Sequence, residues 1–281
     1  MARRYRRLRA GGVLRVVGVL DGSRLGERLW VVRVRCTPDV AGVIADALAG
    51  RADTSSVQVL AGGTEVGCRV SSGDEVLDQE LPWARGVLGV SAHEVLSPAK
   101  FVAARWGPLE VLDAEQIARL RRPAPDSSDG DVVLGARDRR LVEGLGVDGR
   151  ATYAELGKRT GWSQSTVARR LEYLRRTGVL RFQVEVPPQA LGYQAEAWLW
   201  MVVKPEAIVA TAEALAGQPE ISSVAVTTGA TNLVAQVICW DSAYLYRFLT
   251  EQVAGLPGVA SVDTAPVLRT VKRVHSTGPD G

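Results

Sequence analysis

Apolar positions at helical spacing make residues 163–181 the clearest element of the chain. Val167, Leu171 and Leu174 recur at intervals of four and three residues, so they share one face of a predicted helix. Ser163 can cap its first turn, and Gly178 follows its last turn, where a left-handed residue readily ends a helix. Four arginines lie mostly off the apolar face: Arg169, Arg170, Arg175 and Arg176. Such a helix suits a DNA groove, although a solvated surface helix has the same pattern.

The sequence before this helix predicts two shorter helices, over about 137–146 and 152–159. Gly149 lies between these two predicted helices and ends the first. In the second helix, Tyr153 and Leu156 are expected to face inward.

Small residues lie where a helix-turn-helix needs them. Gly157, Gly161 and Val167 are spaced four and six residues apart. This spacing fits a small residue where two helices cross, a glycine in the turn and an apolar residue under the second helix. The alternating run from Val179 to Val186 then predicts a strand, as a wing or a linker. The alternative is a small three-helix bundle that binds no DNA.

The last third of the chain changes to a strand-rich pattern. It predicts a strand at 197–203, a helix at 206–216, strands at 222–227 and 233–239, a helix at about 242–253 and a strand at 259–268. The first third predicts the same order, with a strand at 29–35, a helix at 39–49, strands at 55–60 and 65–70, a helix near 74–85 and a strand at 87–96. This β-α-β-β-α-β order is the ferredoxin-like arrangement. The predicted fold class is therefore α+β, a winged helix-turn-helix plus two ferredoxin-like βαββαβ effector domains.

The two halves of the chain are also similar in sequence. Residues 2–15 match residues 168–181 with nine identities in fourteen, and residues 45–70 match residues 212–237. We interpret this as a tandem duplication in which each copy is a domain pair. A four-stranded sheet with both helices on one face needs cover on the other, so we expect the two sheet domains to pack together as a pseudo-dimer.

These patterns divide the chain into five predicted segments. They are residues 1–24, a remnant of a first helix-turn-helix with its recognition helix and wing; 25–100, the first βαββαβ domain; 101–131, a linker; 132–186, the winged helix-turn-helix; and 192–275, the second βαββαβ domain.

Charge is concentrated in two places. Residues 1–24 and residues 137–181 each carry a net charge of +6. Since the whole chain is +3, the remainder carries −9. Two basic islands on an acidic chain indicate two local contacts with a polyanion.

Composition excludes several classes of protein. A hydrophobic content of 46% favours folded cores over a disordered chain. No apolar run could span a bilayer, and the basic N-terminus lacks the apolar stretch of a signal peptide, so we expect a cytoplasmic protein with no membrane partner. Cys36, Cys68 and Cys239 are an odd, widely spaced set, which favours buried thiols over disulfides or a zinc cluster.

The order of a winged helix-turn-helix and a βαββαβ domain resembles the leucine-responsive/asparagine regulator (Lrp/AsnC) family of transcription factors. The matching residues are Asp138 to Leu141, Asp148 to Arg150, Tyr153 to Leu156, Ser165 to Val167 and Gly178 to Leu180. The resemblance covers about 132–275 and, in the first copy, the first residue to about 100. It implies binding to double-stranded DNA through the second helix of the motif, a domain that binds amino acids or other small metabolites, and a homo-oligomer, a dimer or larger. The first copy begins inside its recognition helix, so either the chain start is placed too late or that motif is lost.

Candidate DNA-binding residues lie on the exposed, basic side of the second helix. They are Ser163, Gln164, Ser165, Thr166, Arg169 and Arg170. Short polar side chains at the helix N-terminus can reach bases and phosphates, and arginines can reach guanine edges or the backbone.

Candidate effector-binding residues lie in the hairpin after the second strand of the second sheet domain. They are Thr227, Thr228, Gly229, Ala230, Thr231 and Asn232. The family's effector loop carries Gly-x-x-Asp where this chain has Gly229 to Asn232, and the first copy has Gly62 to Glu65. Asn232 cannot form the ion pair with an amino-acid ammonium that aspartate would form, so we expect a ligand less dependent on an ammonium group. A plain hairpin turn without a ligand is the alternative.

Two other functions remain open. Some proteins of similar domain make-up decarboxylate tetrapyrroles, which would need histidine or another proton-transfer group in the effector cleft. The chain has two histidines, His93 and His275, and no recognisable nucleophile–base pair, metal cluster or phosphate loop, so we expect neither catalysis nor a cofactor. The chain could also bind no DNA and modulate a full regulator by mixed assembly.

Overall fold

The computed structural model describes residues 2–72, 85–100, 113–120, 132–273 and 276–277. Within these ranges the helices are α1 (Ala2–Ala10), α2 (Ala41–Gly50), α3 (Ala114–Leu120), α4 (Ala136–Val147), α5 (Tyr153–Thr160), α6 (Gln164–Arg176), α7 (Ile208–Gly217) and α8 (Ser242–Arg247), which a π turn (Phe248–Val253) continues. The strands are β1 (Arg15–Leu20), β2 (Arg28–Cys36), β3 (Thr54–Leu60), β4 (Glu65–Ser72), β5 (Val87–Lys100), β6 (Leu180–Glu185), β7 (Ala195–Val203), β8 (Ile221–Thr227), β9 (Leu233–Cys239), β10 (Val259–Arg273) and the two-residue β11 (Ser276–Thr277). The predicted α+β fold class is confirmed. The helix expected near 74–85 falls outside the described residues except at its last position.

Strands β2 to β5 and β7 to β10 form two sheets that share their long strands. The order runs β2-β5-β8-β9-β7-β10-β3-β4 and returns to β2, which closes a ring. β5 pairs with β2 through Val87 to Glu94 and then with β8 through Val95 to Lys100. β10 pairs with β7 through Val259 to Pro266 and then with β3 through Val267 to Lys272. Each sheet domain thus gives a strand end to the other, and the two domains pack together within one chain, as expected.

Three apolar clusters build this double sheet. One joins α2 to the first sheet through Ile44 and Leu48, and one joins α7 to the second through Leu215. The third lies between the sheets and contains Trp198 and Trp200, both almost fully buried. Each buried indole removes about 150–250 Å² from water, so these two side chains contribute strongly to the packing of the domains.

The helix-turn-helix has its own core. Leu141, Leu145, Leu156, Val167, Leu171 and Leu174 are buried there. The burial of Leu156, Val167, Leu171 and Leu174 is as predicted from their spacing. Tyr153, which we expected to face inward, is 47% exposed. It is the first residue of α5, and helical side chains lean toward the N-terminus, so its ring projects beyond the end of the helix.

The N-terminal segment belongs to the same unit. β1 pairs with β6 in a two-stranded antiparallel sheet. β1 also lies against α4, because a Cβ at Gly18 would approach Leu145 Cβ to 2.7 Å. The Gly149 N–H donates to the Val16 carbonyl at 2.7 Å, which fixes the α4–α5 turn to β1.

Candidate nucleic-acid interface and effector loop

The two helices of the motif are fixed by local hydrogen bonds and a close crossing. Thr152 Oγ1 accepts from the Glu155 N–H at 3.2 Å, and Glu155 Oε2 accepts from the Thr152 N–H at 2.7 Å, which caps α5 at both groups. Gly161 ends α5 at φ 71°, in the left-handed region. A Cβ at Gly157 would lie 2.8 Å from the Trp162 carbonyl oxygen, so the turn approaches the helix too closely for alanine. This contact explains why glycine stands at a site that favours a small residue.

The N-terminus of α6 presents a cluster of hydroxyl groups. Ser163 caps the helix, since its Oγ accepts from the Thr166 N–H at 3.2 Å. The same Oγ lies 2.9 Å from both Ser165 Oγ and Thr166 Oγ1. Ser163, Gln164 and Ser165 are exposed and Thr166 is half-buried. The positive end of the helix dipole and these short polar groups together suit an anionic or polar ligand at this point.

The two arginines predicted to meet DNA have different surroundings. Arg169 is exposed. Arg170 donates from Nε to Asp138 Oδ1 at 2.6 Å and from Nη2 to Asp138 Oδ2 at 2.9 Å. The Asp138 side chain is 8% exposed, and its Oδ2 also accepts from the Gly135 N–H at 3.0 Å. Arg170 therefore ties α6 to the start of α4, a contact that helical periodicity alone does not reveal.

The exposed side of α6 is partly aromatic. A surface groove there is lined by Trp162, Thr166, Arg169, Arg170 and Tyr173. Trp162 and Tyr173 were not among the residues predicted to meet DNA. Tyr173 lies four residues after Arg169 and three after Arg170, so its place on the same face was detectable from spacing.

The hairpin between β8 and β9 lies against β5 of the other sheet domain. The Thr228 N–H donates to the Glu94 carbonyl at 2.9 Å, and Thr228 Oγ1 accepts from the Glu94 N–H at 2.9 Å. His93 Nδ1 is 2.7 Å from the Thr228 carbonyl oxygen, so this nitrogen carries the proton that is donated. Gly229 has φ 98°, and a Cβ there would meet His93 Nδ1 at 2.5 Å. The loop thus lies at the contact between the two domains.

Half of the predicted effector residues are used inside the fold. Asn232 Oδ1 accepts from the Val203 N–H at 2.9 Å, and its Nδ2 donates to the Val203 carbonyl at 2.7 Å. Thr227 Oγ1 donates to the Thr231 carbonyl at 3.1 Å, and Thr228 binds Glu94 as described. Two of the four hydrogen bonds that the Asn232 amide can form thus hold the loop to the end of β7. Gly229 and Ala230 are exposed at the tip and Thr231 is half-buried.

The corresponding loop of the first sheet domain is closed by an ion pair. Arg33 donates to both carboxylate oxygens of Glu65, at 2.9 and 2.6 Å, and to Asp263 at 2.8 Å. Its guanidinium lies 5.2 Å from the centre of the Trp200 ring. Burial lowers the pKa of Arg33, but the hydrogen bonds to Glu65 and Asp263 outweigh it and raise that pKa above its ordinary value. The two loops therefore differ, as the sequence predicts from Glu65 and Asn232.

A second polar network crosses the space between the sheets. Arg69 donates from Nη2 to Ser223 Oγ at 2.7 Å and to Gln236 Oε1 at 2.6 Å. Gln236 in turn donates to Gln58, and Gln58 donates to Glu196 at 2.8 Å. Burial lowers the pKa of Arg69 to about 10, against the opposing attraction of Glu196. These buried groups hold the two domains in one register.

The described residues offer little for metal or redox chemistry. None of them form a group of three or more His, Cys, Asp or Glu side chains that could hold a metal ion. The three cysteines are free and buried, and burial raises the pKa of Cys68 and of Cys239 to about 12. No helix among the described residues has the length and apolar character needed to cross a membrane.

Comparison with known proteins matches both units of the second half. Residues 136–175 match the AsnC-type helix-turn-helix domain, and residues 196–276 match the Lrp/AsnC ligand-binding domain. The HTH-type transcriptional regulator FL11 from Pyrococcus abyssi is 37% identical over 142 residues, which cover 50% of this chain and 93% of that protein. This chain belongs to the Lrp/AsnC family of transcriptional regulators.

A second relative is similar over the same length of chain. The regulatory protein AsnC of Escherichia coli is 28% identical over 142 residues, 48% of this chain and 93% of that protein. The Lrp/AsnC resemblance stated from the residue motifs is therefore confirmed.

One solved structure is similar over almost the whole chain. The siroheme decarboxylase NirDL superposes with a TM-score of 0.60 and 14% identity, covering 95% of this chain and 80% of that chain. At this identity the similarity establishes a shared fold only.

Proposed function

We propose that this Lrp/AsnC protein is a sequence-specific DNA-binding transcriptional regulator that reads DNA with α6. The observation that carries the proposal is the exposed face of this helix. It combines a capped, hydroxyl-rich N-terminus with the exposed Arg169 on a rigid helix-turn-helix. A second helix with this composition, held by a first helix across a glycine turn, is the part of such motifs that enters the major groove.

The candidate residues take different roles in this proposal. Ser163, Gln164, Ser165 and Thr166 meet base edges and phosphates from the helix N-terminus, and Arg169 reaches a guanine or the backbone. Arg170 acts mainly through Asp138, because its guanidinium is already bound there. Tyr173 adds an aromatic surface next to Arg169.

Selection of binding sites from a random duplex pool with the full chain tests the proposal. We expect an enriched motif and a specific affinity well above that for scrambled duplex. If Arg169 reads a base, Arg169→Ala should weaken operator binding by about 1–3 kcal/mol and relax the preference for a base at one position of the motif. If it touches phosphate alone, all sequences should suffer alike. If the chain enriches no motif and shifts no duplex, the result would instead favour the alternative that it binds no DNA and modulates a full regulator by mixed assembly.

We further propose a small polar effector at the β8–β9 hairpin. The exposed main chain at Gly229 and Ala230 and the hydroxyl of Thr231 are the groups that can meet it, while Asn232 holds the loop in shape. A carboxylate can bind to main-chain N–H groups in such a turn. Calorimetric titration with the twenty amino acids tests this site. Lack of heat from all of them, with DNA affinity intact, would favour a plain hairpin.

Assembly and catalysis complete the proposal. One chain holds one complete helix-turn-helix among its described residues, so a palindromic operator needs at least two chains for sequence reading.

We propose no enzymatic activity. His93 is 6% exposed and its Nδ1 donates to Thr228, which leaves it poorly placed to transfer protons to a substrate. His275 lies outside the described residues. Titration with an iron tetrapyrrole should therefore give no change in its absorbance spectrum that indicates binding.

A further inference from the structure

The basic island at residues 1–24 begins with a helix that lacks the short polar residues of α6. α1 has the sequence ARRYRRLRA, with five arginines and no acidic residue, Ser, Thr, Asn or Gln. Arg3, Arg4, Arg6 and Arg7 are exposed. Among the described residues no carboxylate forms an ion pair with these four. Four like charges on two and a half turns repel one another, and a polyanion would relieve that repulsion.

α1 is held firmly to the helix-turn-helix. Arg9 forms an ion pair with Asp148 at 2.8 Å, and the Arg150 guanidinium lies 4.4 Å from the centre of the Tyr5 ring. Asp148 and Arg150 belong to the turn between α4 and α5, the same turn that Gly149 fixes to β1. α1 is therefore a positioned surface of the DNA-binding unit.

The pairing of β1 with β6 relates α1 to α6 by an approximate two-fold axis. Residues 2–15 align with residues 168–181, which makes Val17 the equivalent of Gln183. In the sheet, Val17 pairs directly with Gln183, and Arg15 and Val19 pair with Glu185 and Arg181 on either side. A residue that pairs with its own equivalent lies on a two-fold axis. Arg3 is then related by this axis to Arg169, the arginine proposed to meet DNA.

From this geometry we infer that α1 is a second DNA-contacting surface, one that binds phosphates of the duplex beside the site that α6 reads. Two helices related by a two-fold axis are how helix-turn-helix dimers reach successive major-groove faces, about 34–36 Å apart. α6 has a hydroxyl-rich N-terminus beside its arginines, whereas α1 carries a dense row of arginines without such short polar groups, which suits the phosphate backbone. One chain therefore covers two neighbouring half-sites, reads one and grips the other by charge. The inference rests on the proposed function.

The test uses the full chain and an operator obtained by selection. The variant Arg3→Gln/Arg6→Gln/Arg7→Gln removes three charges from α1 and keeps good helix formers. The matched control Arg35→Gln/Lys204→Gln/Arg247→Gln removes three exposed charges from the sheet domains. Circular dichroism and thermal melting should match wild type for both, since exposed positions change stability by only about 0.5 kcal/mol or less.

Binding is measured by fluorescence anisotropy on operator and scrambled duplex from low to high salt, together with hydroxyl-radical footprinting. We expect the α1 variant to lower the slope of log K against log salt by up to about 2.7, at roughly 0.9 for each phosphate that the variant no longer neutralises. Affinity should fall by a similar factor on both duplexes. The footprint should shorten on one side by about one helical turn, roughly 10 base pairs. The control should change none of these.

The outcomes distinguish this inference from the proposed function. If wild type binds its operator but the α1 variant keeps the slope and the footprint, α1 does not touch DNA and only this inference fails. If the α1 variant loses affinity for the operator and not for scrambled duplex, the assignment to phosphates is wrong. If wild type binds no duplex, the proposed function fails and this inference fails with it. Arg169→Ala, which should reduce discrimination between the two duplexes, marks the α6 contribution separately.

Discussion

Replacement of Arg170 by alanine separates a DNA-reading role from a role in holding the motif together. The Arg170 guanidinium makes two charge-assisted hydrogen bonds to Asp138, at 2.6 and 2.9 Å. Its removal leaves a carboxylate that is 8% exposed with the Gly135 N–H as its remaining donor in the described structure. Breaking a fully buried pair from one side costs roughly 3–5 kcal/mol. Because the Arg170 side chain is 28% exposed, water screens part of this, and we expect a cost of about 2 kcal/mol.

Hydrogen exchange of the full chain, followed by mass spectrometry, measures this cost locally. A loss of about 2 kcal/mol corresponds to roughly thirty-fold faster exchange in peptides from α4 to α6. Peptides from the two sheet domains should exchange as in wild type and serve as the internal reference. Arg169→Ala is the matched control, because Arg169 is exposed and its loss should leave exchange unchanged.

A double substitution tests the pair itself. Asp138→Asn/Arg170→Gln replaces the ion pair by a neutral hydrogen bond and should recover part of the protection that either single change loses. The reasoning is refuted if Arg170→Ala leaves α4 to α6 fully protected from hydrogen exchange and lowers affinity for the operator tenfold or more, with the loss depending on the identity of a single base pair. Arg170 would then read that base, and its bond to Asp138 would give way in the complex.

Three further changes test other parts of the structure. Gly157→Ala should destabilise the helix-turn-helix despite a gain of up to about 1 kcal/mol in helix propensity, because the new Cβ would lie 2.8 Å from the Trp162 carbonyl oxygen. Faster hydrogen exchange in α5 would show this loss. Gly217→Ala is the control, because a Cβ at Gly217 meets no atom within 4 Å. Asn232→Ala should cost about 1–3 kcal/mol by leaving the Val203 N–H and C=O unpaired, and a lower urea midpoint than that of Thr231→Ala would show it. Burial raises the pKa of Glu27, with Arg139 opposing and Asp53 adding to it. A carboxyl with a raised folded-state pKa stabilises the fold below its unfolded pKa and loses that contribution as pH rises through the folded pKa, so Glu27→Gln should raise the urea midpoint at pH 7 and not at about pH 4.

Periodicity predicted most elements because each buries one regular face. The apolar residues of α6, Val167, Leu171 and Leu174, are all buried as their spacing requires. The same reasoning ordered the strands of both sheet domains and anticipated that the domains cover each other. It could not predict that β5 and β10 would each extend from one sheet domain to pair with a strand of the other, because how far an edge strand pairs depends on the neighbouring sheet.

The candidate site was less accessible to sequence reasoning. Exposure and residue type placed Arg169 and Arg170 together, but the partner of Arg170 is Asp138, 32 residues earlier. Likewise, the prediction for Asn232 rested on its lack of charge for binding a ligand. In the structure the C=O and NH2 of its side-chain amide pair with the N–H and C=O of Val203. Long-range polar pairs of this kind depend on distance in space and leave no periodic signal.

Unlike residues at equivalent positions favour pairing of the two sheet domains with each other. Arg69 pairs with Val31 in its sheet, and Gln236 pairs with Trp198 in the other, so the two polar side chains occupy equivalent places. They contact each other at 2.6 Å, which puts them on the axis that relates the domains. Two copies of the first domain would therefore bring two buried arginines together, and like charges in a desolvated space repel strongly.

Pairing two copies of the second domain has a different cost. Ala225 is the equivalent of Gln58 in the second domain, so Trp198 would lose the hydrogen bond that its indole N–H donates to Gln58 at 2.5 Å. The indole would then be buried without an acceptor, at a cost of about 1–3 kcal/mol. Only the unlike pair satisfies Arg69, Gln58 and Trp198 together. The double sheet is thus formed most favourably by one first domain and one second domain, as it is within this chain.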